Sequence, residues 1–165
     1  MPKQTQLPSL FLAALTGLAL LTAPPAHAEG QEAVLLTVTG LGDPLQFTLA
    51  DLEAIGTRNI HTTTIWTEGL QDFSGTPLDA FIAALGVDQG TLYAFAINDY
   101  MVEIPVSDAV ARGPIIAHHR NGSPMSLRDH GPLWIVYPYD SDPAYQTELI
   151  YARSIWQLNR IEIVD

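Results

Sequence analysis

The chain has 165 residues, with 18 acidic side chains against 7 basic ones, a net charge of −11 and no cysteine. So acidic a balance disfavours nucleic acid and anionic membranes, since affinity for both rests on lysine and arginine contacts with phosphate. The missing cysteine excludes disulfide staples and thiolate metal ligands, so the fold must hold together by its core.

The N-terminus carries Lys3, an apolar run from Leu10 to Leu21 and the small-residue sequence Ala26-His27-Ala28. This is the pattern of an export signal, and the run is shorter than the ~20 residues a membrane span requires. Cleavage is expected after Ala28, giving residues 1–28 as signal peptide and 29–165 as one periplasmic domain, long enough to bury a core. The leader lacks the paired arginines of the route that exports folded proteins. Its removal takes away the only lysine and no acid, moving the net charge from −11 to −12. The intact mass of exported protein is expected to correspond to a chain starting at Glu29. A product still carrying Lys3 would contradict this reading.

Ala33 to Val38, rich in valine and leucine, reads as a largely buried strand. Gly40 to Pro44 is a turn and Leu45 to Phe47 a short strand. Thr48-Leu49-Ala50-Asp51 resembles a capping box opening a helix from Leu49 to Ile55, closed by Gly56. Asn59 to Trp66 is threonine-rich and β-prone. Thr76 as N-cap, Pro77 at the first helical position and Gly86 beyond the end delimit a helix from Pro77 to Leu85. Thr91 to Ile97 and Met101 to Ile104 flank the turn Asn98-Asp99-Tyr100 and predict a hairpin. Ser107 to Arg112 is a helical turn stopped by Gly113-Pro114. Ile115 to His119 is a strand, Asn121-Gly122 a hairpin turn, Leu133 to Tyr137 a strand, and Arg160 to Val164 the last strand. Tyr145 to Gln157 fits either helix or mixed loop. The pattern is α+β with mainly antiparallel strands in a single domain.

Few constellations carry chemistry. On a strand the adjacent His118 and His119 point to opposite faces and cannot both reach one metal easily, and no H-x-H or H-E-x-x-H spacing supports a metal site. Asp140-Ser141-Asp142 with Glu148 lacks the glycine and spacing of an EF-hand. No serine sits in G-x-S-x-G, and Gly40-Leu41-Gly42 lacks the third glycine of a phosphate loop. What remains is an aromatic and arginine group: Trp66, Tyr100, Trp134, Tyr137, Tyr139 and Trp156 with Arg120, Arg128, Arg153 and Arg160. Five of the six arginines lie from Arg112 onward. Arginines beside planar rings suit a flat anionic ligand, through bidentate hydrogen bonds and stacking.

Four segments carry a family resemblance: Phe73-Ser74-Gly75-Thr76-Pro77-Leu78, Asn98-Asp99-Tyr100 before a short strand, His130-Gly131-Pro132 before a strand ending at Pro138, and Arg153-Ser154 with Leu158 and Arg160. In this order, from about Leu35 to the C-terminus, they resemble the sulfite-oxidase-type molybdopterin-binding domain. The resemblance implies that fold, with mainly antiparallel or mixed strands and short helices, and a molybdenum atom hung from a cysteine thiolate. Counting back from Pro77, that cysteine falls near Thr62 or Thr63. A hydroxyl there cannot replace a soft, anionic sulfur. Trp134 stands where many members carry an arginine after the proline-leucine pair.

The expectation is therefore an exported domain of this fold that has lost molybdenum catalysis and works as a ligand-binding or sensory and interaction module. Its partner would be a small anionic or aromatic ligand, or a membrane signalling protein, with no nucleic acid and no stable membrane insertion. The expected ligand-binding set is Thr62, Thr63, Trp66, Asn98, Asp99, Tyr100, Arg120, Arg128, His130 and Arg153, with no catalytic residue and no metal ligand. No cofactor is expected, although the resemblance keeps molybdopterin open. The alternatives are a molybdopterin-dependent oxidoreductase that holds its metal without protein sulfur, and a structural subunit of a larger complex.

Overall fold

A computed structural model describes residues 32–164; the expected signal peptide lies outside them. The strands are β1 (Leu36–Thr39), β2 (Leu45–Phe47), β3 (Arg58–Thr62), β4 (Gln71–Pro77), β5 (Thr91–Ala96), β6 (Met101–Pro105), β7 (Ile115–Arg120), β8 (Ser123–Pro124), β9 (Trp134–Val136) and β10 (Leu158–Val164). The helices are α1 (Leu49–Ile55), α2 (Leu78–Leu85) and α3 (Glu148–Arg153), with short 3-10 turns between.

One sheet runs β2-β1-β10-β5-β6 and the other β3-β4-β7-β8, with β9 on β7. All strand pairs are antiparallel except β1 with β10, which set Thr37 opposite Arg160 and Val38 opposite Ile161 in a parallel ladder. On β5 the alternation of buried and half-buried residues puts Leu92, Ala94 and Ala96 inward. Both sheets and all three helices feed one hydrophobic core, in which Leu36, Leu52, Phe73, Phe81, Leu92, Trp134 and Leu158 lose all contact with solvent. The α+β class, the few short helices and the mainly antiparallel strands are as the sequence predicts. No helix among the described residues is long and apolar enough to cross a membrane.

Local chemistry explains several boundaries. Thr48 caps α1: its Oγ1 accepts from the Asp51 backbone at 3.2 Å, and Asp51 Oδ2 accepts from the Thr48 backbone at 2.8 Å. Thr76 does not cap α2. Strand β4 continues through Pro77 because Thr76 and Pro77 pair with Ile116 and Ile115 on β7, and the buried Thr76 hydroxyl donates to the Leu52 carbonyl at 2.8 Å. Pairing with β7 wins over capping, and α2 starts one residue later than the sequence suggests. The β-prone stretch to Trp66 also stops early, at Thr62, after which the chain turns. The undecided Tyr145 to Gln157 becomes a 3-10 turn and α3, whose cap is the Thr147 hydroxyl accepting from the Ile150 backbone at 3.3 Å.

Candidate ligand-binding cleft

Threonine at the end of β3 releases the chain into a loop, and the loop drops Trp66 among aromatic rings from three other segments. Trp66 meets Trp134 at 5.7 Å, Tyr139 at 6.1 Å, Tyr151 at 5.7 Å and Trp156 at 5.6 Å between ring centroids, all edge to face. This arrangement matches positive ring edges to negative faces. Behind it, His130 stacks on Trp134 at 4.5 Å with 21° between planes.

The inner half of the cluster is fixed by its polar tips. Trp134 Nε1 donates to the Ser154 carbonyl at 3.1 Å, and the Tyr139 hydroxyl donates to Ser154 Oγ at 2.7 Å. Ser154 Oγ in turn donates to the Ile150 carbonyl at 2.8 Å. These buried groups are satisfied, so the inner rings belong to the core.

The outer half is open. Trp66, Tyr151 and Trp156, with Ala96, Asn98, Tyr100 and Gln157, line a cleft of about 360 Å³. Trp156 is 37% exposed and Tyr100 57% exposed, large apolar surfaces left toward solvent. One edge is backbone held in an uncommon conformation: Gln157 has φ 52°, in the left-handed region. Hydrogen bonds from Gln157 N to the His130 carbonyl and from Ile97 N to the Gln157 carbonyl, both 3.0 Å, hold it there. Such over-determined strain often accompanies binding sites.

The residues expected at a site divide into those the fold brings to this cleft and those it does not. Trp66, Asn98 and Tyr100 line it. Asp99, at the hairpin tip with φ 62°, accepts from Arg160 at 3.4 Å instead. His130 backs the cleft through Trp134 and Trp156, and its imidazole is held below the usual histidine range by burial and by the Arg120 charge. Thr62 is fully buried, accepting from Asp140 N at 3.1 Å and donating to the Thr63 carbonyl at 3.2 Å. Thr63 donates its N–H and hydroxyl to Asp140 at 2.6 and 2.8 Å. These bonds hold Asp140 below the ordinary carboxylate range, the Thr63 backbone being the main cause.

The arginines do not converge. Arg153 Nη1 donates to Asp108 at 2.9 Å, Arg120 pairs with Asp129 at 3.6 Å, and Arg160 lies over the Phe95 ring at 4.1 Å besides meeting Asp99. Arg128 is exposed. None of the four lines the cleft. The arginines clustered in the sequence therefore do not meet in this cleft, because Asp129, Asp108 and Asp99 take up Arg120, Arg153 and Arg160. Conversely, the sequence reading left Tyr151, Trp156 and Gln157 out of the site. Trp156 stood in the aromatic group, but only the placement of α3 brings it beside Trp66.

The molybdenum cofactor implied by the resemblance does not fit these side chains. Both threonines near the expected thiolate spend their hydroxyls on protein partners. Arg153, where the resemblance implies a pterin-phosphate contact, gives its Nη1 to Asp108 instead.

A second cluster departs from expectation. Ser74 pairs with His119 and Gly75 with Ala117, so His118 is an extra residue in β7. A bulge of this kind breaks the strict alternation of side chains. His118 and His119, expected on opposite faces, instead bring their Nδ1 atoms to 2.7 Å. Burial and the neighbouring His119 push the His118 imidazole below the usual range, against a smaller upward pull from Glu53.

Comparison with known protein families and with curated proteins gives no match to this chain.

Proposed function

We propose that this chain is a binding module whose cleft takes a small, flat aromatic compound. The observation that carries the reading is the Trp66, Tyr151 and Trp156 group, ring edges and faces turned into an open cleft of about 360 Å³ with Asn98 and Gln157 at its margin. Apolar walls with a few polar groups are the usual make-up of a small-molecule site. Stacking supplies affinity here, and the amide side chains supply orientation. Since no arginine lines the cleft and Arg120, Arg153 and Arg160 are paired with acids, the ligand is neutral or weakly charged. This narrows the anionic or aromatic ligand expected from sequence to the aromatic one.

We further infer a sulfite-oxidase-type fold from the order of the four motifs, in a domain exported to the periplasm. The alternative of a molybdopterin-dependent oxidoreductase gains no support from the side chains near Thr62.

A thermal-shift screen of flat heteroaromatics, pterins included, tests the proposal. A stabilising compound is expected to lose about 1–3 kcal/mol of affinity on Trp156→Ala or Tyr100→Ala, roughly 5- to 150-fold in Kd. Arg128→Ala is expected to bind as the wild type does. Loss of binding in Arg128→Ala with Trp156→Ala unaffected would instead favour an anion site.

A further inference from the structure

Away from the cleft, three side chains with metal-binding chemistry meet: Glu53 on α1, and His118 and His119 at the bulge in β7. A carboxylate oxygen and one ring nitrogen from each histidine lie within 4.8 Å of one another. We propose that these three residues bind one divalent transition-metal ion, with Cu²⁺ preferred over Zn²⁺.

The scaffold for this cluster is rigid. The Thr76 hydroxyl holds the Leu52 carbonyl at 2.8 Å, which pins the turn of α1 that bears Glu53 against β4. Gly75 lets β4 and β7 approach so closely that a Cβ there would overlap the Ile116 and Ala117 backbone. The bulge then turns both rings to one side. His118 is buried, His119 half-buried and Glu53 exposed, so the cluster opens toward solvent on the carboxylate side.

The geometry also speaks to the metal. Two ring nitrogens at 2.7 Å have room for one proton between them, and a metal ion seated beside the line that joins them binds both lone pairs once that proton has moved away. Nitrogens bound at about 2.0–2.1 Å stand about 2.9 Å apart at a right angle and about 3.3 Å apart at a tetrahedral one. The observed separation needs the smaller movement to reach the right angle. Tetragonal nitrogen and oxygen sites suit Cu²⁺ and Ni²⁺, and Cu²⁺ stands highest in intrinsic affinity. Three protein ligands leave coordination positions for water.

The test uses untagged, chelator-stripped protein in equilibrium dialysis against Cu²⁺ and separately Zn²⁺, with electron paramagnetic resonance of the copper form. One Cu²⁺ per chain with nitrogen hyperfine coupling is expected, bound about tenfold or more tighter than Zn²⁺. His119→Ala and Glu53→Gln are expected to weaken Cu²⁺ binding, the first by about tenfold or more. His61→Ala, at an exposed histidine on β3, is expected to bind like the wild type. His118 is left intact because it is buried; near-ultraviolet circular dichroism confirms that the variants fold. No stoichiometric binding, or unchanged binding in either His119→Ala or Glu53→Gln, overturns the three-ligand site. Tighter Zn²⁺ than Cu²⁺ binding overturns the metal preference.

Discussion

Gly75→Ala is expected to destabilise the chain by about 4 kcal/mol, a large share of the stability of a domain this size. Gly75 is buried in β4 opposite the β7 bulge, where the added Cβ would fall on the Ile116 carbonyl and the Ala117 backbone. Backbone cannot rotate aside as a flexible side chain does, so the two strands must part. Separating them also breaks ladder hydrogen bonds at the centre of the second sheet. Ser74→Ala, one residue away and half-buried, should cost about 1 kcal/mol or less. Urea unfolding of the two variants checks this, and comparable midpoints would show that the close strand approach has been misjudged.

Asp108→Ala is expected to cost about 2–4 kcal/mol. Asp108 Oδ2 accepts from the Tyr137 hydroxyl and from Arg153 Nη1, each at 2.9 Å, tying the segment after β6 to the residue that follows β9 and to α3. Both charged side chains are only 17% exposed, so truncation strands a mostly buried guanidinium and a buried hydroxyl. Burial and the Asp108 charge push the Tyr137 phenol far up, so it remains a donor at any physiological pH. Because both side chains retain some solvent, the loss is smaller than for a fully buried pair. By contrast, Asp99→Ala removes a partner of Arg160 that is 81% exposed and should cost about 0–1 kcal/mol. Thermal unfolding of both variants distinguishes them: equal losses would mean that the Asp108 pair contributes no more than a surface contact.

Much of the fold was legible because short-range rules decided it. The Thr48 to Asp51 capping box, Gly86 after α2 and the Asn98-Asp99-Tyr100 hairpin act within a few residues, and each appears where the sequence puts it. What failed was decided by distant partners. Thr76 has the chemistry of a helix cap but lies where β7 claims its backbone and Leu52 claims its hydroxyl. The adjacent histidines obey strand alternation only without a bulge, and the bulge lies opposite Ser74 and Gly75 in another strand.

The candidate site shows the same division. Trp66, Asn98 and Tyr100 were recognisable as aromatic and turn residues, and they do line the cleft. The arginines misled because charge along the sequence does not reveal which acid each will meet. Asp108 lies 45 residues from Arg153, and Asp99 lies 61 from Arg160. Tyr151 and Trp156 reach Trp66 only through α3, a six-residue helix too short to show a clear apolar period.

All three tryptophans of the chain, Trp66, Trp134 and Trp156, belong to the one aromatic cluster. Intrinsic fluorescence therefore reports on the proposed site with no other tryptophan in the background. Titration with pterin and with indole tests the binding cleft most directly. A saturable change in emission is expected for at least one of them, with its midpoint shifted about fivefold or more upward in Tyr100→Ala, which keeps every tryptophan. Emission that changes only in proportion to added compound, or a midpoint the same in wild type and Tyr100→Ala, would contradict the account.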